Sequence, residues 1–338
     1  MATVTRAAEG AEPGEPGEKK EEGATNVDGS TREAKMCELP YSKQVVLVVG
    51  GKGRVGKALD KMAASLGYFH GCIARDDAVT PSAQRDGPIY VATHASDLDA
   101  AVKAVHSNRK QDLVLMQGGL LRASWLKRRG LDEATQVVLF ASANANGEIT
   151  DGGGSTVVTG PYAKHVVGML EAGGVACTAL EPEPFKVIAM IKLLWVSIFW
   201  LVCDLTGSTV GEVVDDEAGM ARVRSLTYEL VDVAVSAGEI DANLAGVEGW
   251  VDGVVEGLCY YSRCIPHAVP SKSMALKEGG FRNGWFLAAG TLDVQPTHVE
   301  LLGLAGVNVE DMRAAGLKEL EEVEESVAEE EGPEVGPR

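Results

Sequence analysis

A run of aliphatic residues, Val45-Val46-Leu47-Val48-Val49, stops at Gly50 and is followed by Gly51, Gly53 and Gly56 in the spacing G-x-G-x-x-G. Apolar residues then recur at a helical period: Val55, Ala58, Leu59, Met62, Ala63 and Leu66. Strand, glycine turn and helix in that order predict a unit whose turn receives a dinucleotide pyrophosphate. Each part has a physical task. Gly51 is expected to allow the tight turn, Gly53 to let the pyrophosphate reach bare backbone, and Gly56 to let the helix pack on the strand. Lys52, Arg54 and Val55 lend backbone N–H groups, and the positive end of the helix dipole faces the phosphates. The alternative for the same pattern is a fold of this type that has lost its ligand.

The rest of the chain supports an α/β domain around that unit. Phe69–Ala74 predicts a second strand, ending in Arg75-Asp76-Asp77. An acidic residue there would hold the ribose hydroxyls of NAD, whereas an arginine would hold the extra phosphate of NADP. Both are present, and Arg75 favours NADP. Further strands are expected at Pro88–Thr93, Asp112–Met116, Val137–Phe140, Ser155–Thr159 and Val175–Ala179, with helices after His94 and over Pro161–Ala172. Asn144–Gly154 reads as a turn-rich loop. Ligands of open α/β sheets sit at the carboxyl ends of the strands, which puts His94 and Gln117-Gly118-Gly119 on the cofactor side.

Glu181-Pro182-Glu183-Pro184 cannot continue a ladder, so a domain boundary is placed there, the first domain covering residues 40–183. Beyond it only helical periods occur, which predicts an all-α domain over 184–310. Its members are Val187–Leu205, Ala218–Ala237, Gly246–Arg263, Met274–Ala289 and a last segment from His298 to about Val307. The longest apolar run, Leu193–Cys203, is too short to span a bilayer and reads as a buried helix. Residues 1–39 are rich in Gly, Glu, Ala, Lys and Pro and are expected to be disordered. Residues 311–338 read as a Glu-rich tail that needs no buried face.

Composition limits the function classes. The 338 residues carry a net charge of −18, much of it in the tails, which disfavours a phosphate-backbone partner such as nucleic acid. The six cysteines form no C-x-x-C and no zinc spacing, so no metal site is expected and the thiols read as reduced, in cytoplasm or an organelle matrix or stroma. Met1–Met36 has no apolar core of a secretory signal.

Lys192-Leu193-Leu194-Trp195-Val196-Ser197, followed by Gly211-Glu212-Val213 and later Ser273-Met274, resembles the ketopantoate reductase family in layout. The glycine loop, Arg75, His94 (where the family often has Lys) and Gln117-Gly118-Gly119-Leu120 agree with it. The resemblance spans roughly residues 43–305 and implies a Rossmann α/β domain followed by a helical domain of the 6-phosphogluconate dehydrogenase C-terminal type. It also implies an NADPH-dependent reduction of a carbonyl compound, with Lys192 as general acid. Independently, hydride addition to a ketone builds an alkoxide, and a cationic donor must meet it. The other reading of Lys192 is a packed stem whose amine snorkels to water.

The departures from the family are specific. Its asparagines fall on Gly118, Val196 and Trp200 here, and its glutamate falls on Trp285. Lost buried hydrogen bonds cost about 1–3 kcal/mol each, so recognition of ketopantoate itself is not expected. The face Lys192, Val196, Trp200, Cys203 implies a flatter or greasier ligand, or a pocket filled by its own tryptophans. Ser273 and Arg282 are the remaining candidate anchors, Arg282 for a carboxylate because its fork is bidentate. By analogy a homodimer is expected. The second reading is a non-catalytic nucleotide-binding subunit of a larger assembly.

Overall fold

The structure, a computed structural model, describes residues 45–73 and 87–321. Arg75, Asp76 and Asp77, the N-terminal tail and residues 322–338 lie outside the described residues.

β-branched runs give the first half its sheet. Strands β1 (Val45–Val49), β2 (Phe69–Ile73), β3 (Ile89–Val91), β4 (Leu113–Gln117), β5 (Thr135–Val138), β6 (Ala141–Ala143), β7 (Ile149–Asp151), β8 (Thr156–Thr159) and β9 (Cys177–Ala179) alternate with helices α1 (Arg54–Ser65), α2 (Ala95–Ala104), α3 (Ala123–Arg128) and α4 (Ala163–Ala172). Seven strands form one sheet in the order β2-β1-β3-β4-β5-β8-β9. Strands β1 to β5 run parallel, β8 pairs antiparallel with β5, and β9 runs parallel to β8. The chain leaves β1 for β2 on one side and returns to β3 on the other, so the topological switch lies between β1 and β3, where ligands of such sheets bind. Alternation along the strands feeds two cores. Val46, Val48, Tyr90 and Val114 meet α1 and α4 on one face. Val49, Ile89, Val91 and Leu113 meet α2 and α3 on the other.

The second half is helical: α5 (Pro182–Thr206), α6 (Val210–Asp215), α7 (Glu217–Ser236), α8 (Ala242–Ala245), α9 (Trp250–Cys264), α10 (Lys272–Lys277), α11 (Asn283–Ala289), α12 (Pro296–Leu304) and α13 (Val309–Glu321). They pack around α5, whose core also takes Val138, Phe140 and Val157 from the sheet.

Several expectations need correction. The helix expected from Val187 begins earlier: Pro182, just past the strand that ends at Ala179, opens α5, because a proline in a first turn gives up no hydrogen bond. At 25 residues α5 is long and apolar enough to cross a bilayer, so length does not exclude a span. It is a core helix, with 78% of its most apolar window buried inside the protein. The turn-rich loop at 144–154 contains β7, which pairs with β6 in a separate hairpin. The single helix expected over 274–289 is three pieces, α10, a 3-10 turn at Gly279–Phe281 and α11. The tail expected from 311 begins as a packed helix: Met312 is buried, and a Cβ at Gly316 would overlap the carbonyl oxygen of Gly284 on α11.

Candidate functional site

The glycine loop is built as a cradle. Gly50 has φ +82°, a conformation that disfavours a side chain, so the turn is made by Gly50 and not by Gly51 as the motif suggests. Gly51 is needed for close approach: a Cβ there would stand 2.7 Å from the Cβ of Cys72 on β2 and overlap its thiol. At Gly56 a Cβ would lie 2.6 Å from the Cα of Gly51, so α1 packs directly on the turn as expected. Gly53 is the exposed N-cap of α1, and its amide donates to the Gly50 carbonyl at 2.8 Å. Lys52 and Arg54 are exposed, Val55 is half-buried, and no acidic residue occupies the first turn of α1. The first-turn amides of a helix have no intrahelical acceptor, so this end is open to an anion.

Two buried polar atoms at the carboxyl ends of the neighbouring strands have no hydrogen-bond partner among the described residues. They are Thr93 Oγ1, two residues beyond β3, and Gln117 Nε2, at the end of β4. The methyl of Thr93 stands 3.3 Å from where a Cβ of Gly50 would lie. Buried polar groups are normally satisfied, so these two fit a polar ligand laid along the carboxyl ends of β1, β3 and β4. The residues present therefore fit a dinucleotide. Gln117 is expected on the cofactor side from its place at a strand end, whereas Thr93 carries no motif and the sequence reading missed it.

Lys192 is 5% exposed on α5. Its Nζ lies 4.0 Å from the ring centre of Tyr261, 4.6 Å from Phe140 and 4.7 Å from Trp195, a cage drawn from both halves of the chain. Aromatic faces attract an ammonium, but burial pushes its pKa well below the ordinary lysine value, and the like charge of Arg282 adds to that shift. Arg282 heads α11 and pairs with Glu278. Its Nη2 lies 3.9 Å from where a Cβ of Gly118 would stand. Gly119 packs on α5 beside Lys192, a Cβ there coming 3.1 Å from that of Leu193. Arg282 thus stands at Gly118 where the end of β4 meets the helical domain, and its like charge acts on the buried Lys192.

His94 and Ser273 are placed differently. His94 precedes α2, half in solvent, with Nδ1 3.3 Å from Glu278 Oε1. Ser273 is exposed in the first turn of α10 and shares a 2.9 Å hydrogen bond with Ser271, the cap of that helix. Ser273 does not join the group around Lys192. Val196, Trp200 and Cys203 are buried in the core. Trp200 donates to Asn283, so this face is filled by its own side chains. A cavity of about 20 Å³, room for one water, lies beside Leu193 and is lined by Leu120, Arg122, Trp125, Phe281 and Trp285 among others, not by Lys192 or the rings around it. The indole N–H groups of Trp125 and Trp285 have no partner among the described residues.

A doubly wound sheet with a glycine loop at its switch point, followed by a helical domain, is a two-domain Rossmann architecture. The fold is that of a PanE/ApbA-family ketopantoate reductase from Ralstonia eutropha JMP134, to which the chain is similar with a TM-score of 0.55 and 17% identity over 79% of this chain and 99% of that one. It is also that of D-mandelate dehydrogenase, solved with NADH (TM-score 0.58, 15% identity, 79% and 99% covered) and with NADH and anilino(oxo)acetate (TM-score 0.58, 12% identity, the same coverage). No family profile matches the sequence. No curated protein matches it either.

Proposed function

We propose that this chain binds NADP(H) along the carboxyl ends of β1, β3 and β4 and reduces a small carbonyl compound in a ketopantoate-reductase-like reaction. The burial of Lys192 within reach of the charge of Arg282, which stands beside Gly118, carries the reading. The first turn of α1, with Gly51, Gly53 and Gly56, would hold the pyrophosphate. Arg75, two residues after the end of β2 in sequence, would take the 2′-phosphate that distinguishes NADP. When bound, the nicotinamide would supply a hydride. The chain's own part is proton and charge management. Lys192 would give the proton on Nζ to the carbonyl oxygen, and its lowered pKa makes its ammonium a stronger acid than that of an ordinary lysine. Arg282 would hold a carboxylate through its fork. Gly118 and Gly119 leave the approach to both side chains free of a Cβ.

A second reading has its own observation in favour. Three rings close over Lys192, and the cavity beside Leu193 holds about one water. A chain that binds the dinucleotide but reduces nothing would look like this. Titration with NADPH and NADH, followed by nicotinamide fluorescence, tests the shared part. Micromolar NADPH binding that Gly53→Asp abolishes supports it, and no binding of either nucleotide sinks both readings. Turnover of a panel of 2-oxo acids and aromatic ketones that disappears in Lys192→Met selects the reductase, whereas tight NADPH binding without turnover selects the binding subunit.

A further inference from the structure

Glu278 attracts no notice in the sequence, yet it is 8% exposed and both of its carboxylate oxygens are used. Carboxylates are almost never so buried unless paired. Oε1 accepts the backbone N–H of Ala95, the first residue of α2, at 3.1 Å. The same oxygen lies 3.3 Å from His94 Nδ1. Oε2 pairs with Arg282, four residues on and across the Gly279–Phe281 turn. One carboxylate therefore joins the positive end of a sheet-domain helix to the guanidinium that stands beside Gly118. A second contact, Lys277 to Asp97 at 3.4 Å, lies alongside it and bridges the same two segments.

We infer that Glu278 is a positioning residue: it fixes the Arg282 guanidinium beside Gly118 and ties that placement to the N-terminus of α2. Arg282 has several rotatable bonds and one end on a short helix. Without an anchor it would sample solvent, and the order lost would be that of the like charge that acts on Lys192. A charge-assisted bond to a buried carboxylate removes that freedom. Because the carboxylate is itself held by the Ala95 amide, a shift of α2 against the helical domain moves the guanidinium. The inference rests on reading Lys192 and Arg282 as one site, but its test needs no catalysis.

The full-length protein is labelled with 13Cε-lysine, and the Lys192 resonance is assigned by its loss in Lys192→Arg. Its titration midpoint is then followed in wild type, Arg282→Gln, Glu278→Ala and the double variant. Removing the like charge in Arg282→Gln raises the midpoint. If Glu278 positions Arg282, the same substitution made in the Glu278→Ala background moves the midpoint by less than a third as much, because the guanidinium has already left. A shift of equal size in both backgrounds, or no shift on Arg282→Gln in wild type, overturns the inference. Should Glu278→Ala not fold, the isosteric Glu278→Gln takes its place with the same two criteria. A protein that folds and couples in this way but reduces nothing leaves the inference standing, and lost coupling in an active enzyme leaves the role of Lys192 untouched.

Discussion

Trp200 on α5 donates its indole N–H to Oδ1 of Asn283 on α11 across 2.7 Å, in a core where neither residue touches solvent. The amide of Asn283 then donates to the Ser197 carbonyl at 3.0 Å and to His298 Nε2 at 2.9 Å. His298 Nδ1–H is given to Gln295 Oε1 at 2.8 Å, and Gln295 donates onward to the Phe286 carbonyl at 2.9 Å. Every proton in this chain of bonds has one consistent place, with His298 neutral. Asn283→Ala should therefore cost about 3 kcal/mol or more, since it leaves the Trp200 donor and the His298 acceptor buried and unpaired. Urea denaturation of the two proteins measures it; a cost below about 1 kcal/mol would mean that the network is not formed.

His298 also sets a pH dependence. Burial pushes its pKa down to about 3 from an ordinary 6.5. The unfolded chain takes up the proton first, so stability is complete above about pH 6.5 and falls as the pH drops toward 3. The loss is on the order of a few kcal/mol over that window. His165, lowered to about 4 by burial, adds in the same direction. In His298→Gln, which keeps an acceptor for Asn283 but does not titrate, stability should change less between pH 7 and pH 5 than in wild type. Denaturant midpoints at the two pH values decide it.

The glycine loop separates binding from folding. Gly53→Asp should fold as well as wild type, because aspartate is a good N-cap and its charge suits the start of α1. The same charge would face the incoming phosphates, so NADPH binding should fall at least 100-fold by calorimetry. Gly56→Ala should do the reverse of a clean binding variant. Its Cβ would be driven 2.6 Å from the Cα of Gly51, and backbone has no rotamer to yield, so about 1–3 kcal/mol of stability should be lost.

Lys192→Met keeps the stem and fills the cage between Phe140, Trp195 and Tyr261 while removing the amine. Thermal stability should hold or rise, since an amine buried at 5% exposure is costly. Any carbonyl reduction should drop by about 100-fold or more. Lys192→Ala, by contrast, should lower stability by about 2–5 kcal/mol, because it opens a space between three rings. Melting curves and turnover on the same preparations separate the two effects.

The parts of the fold that repeat locally were readable in advance. Val46 and Val48 alternate with Val49 and Ile89 across two cores, and the α1 face of Ala58, Leu59 and Met62 follows a helical period, because side-chain direction along a strand or helix is dictated by backbone geometry alone. Helix ends were less legible. Gly279 and Gly280 interrupt what reads as one helix over 274–289, and Val309–Glu321, rich in charge, is held by the glycine crossing at Gly284 and Gly316, a contact made by residues with no side chains to announce it.

The sequence by itself determined an α/β domain with a glycine cradle at its first turn, a helical second half, and Lys192 as a charge set in an apolar helix. Those are consequences of local chemistry: β-branching, the absence of a Cβ, and charge set in an apolar run. The tertiary structure alone decided what those residues face. Phe140 and Tyr261 lie 52 residues before and 69 residues after Lys192, and only packing of the sheet on α5 and α9 brings their rings around its ammonium. Glu278 becomes the partner of Ala95 only where α2 meets the end of α10. A chain reports its own periodicity, but a buried charge takes its pKa and its role from neighbours distant in sequence, and these are set only once the chain has folded.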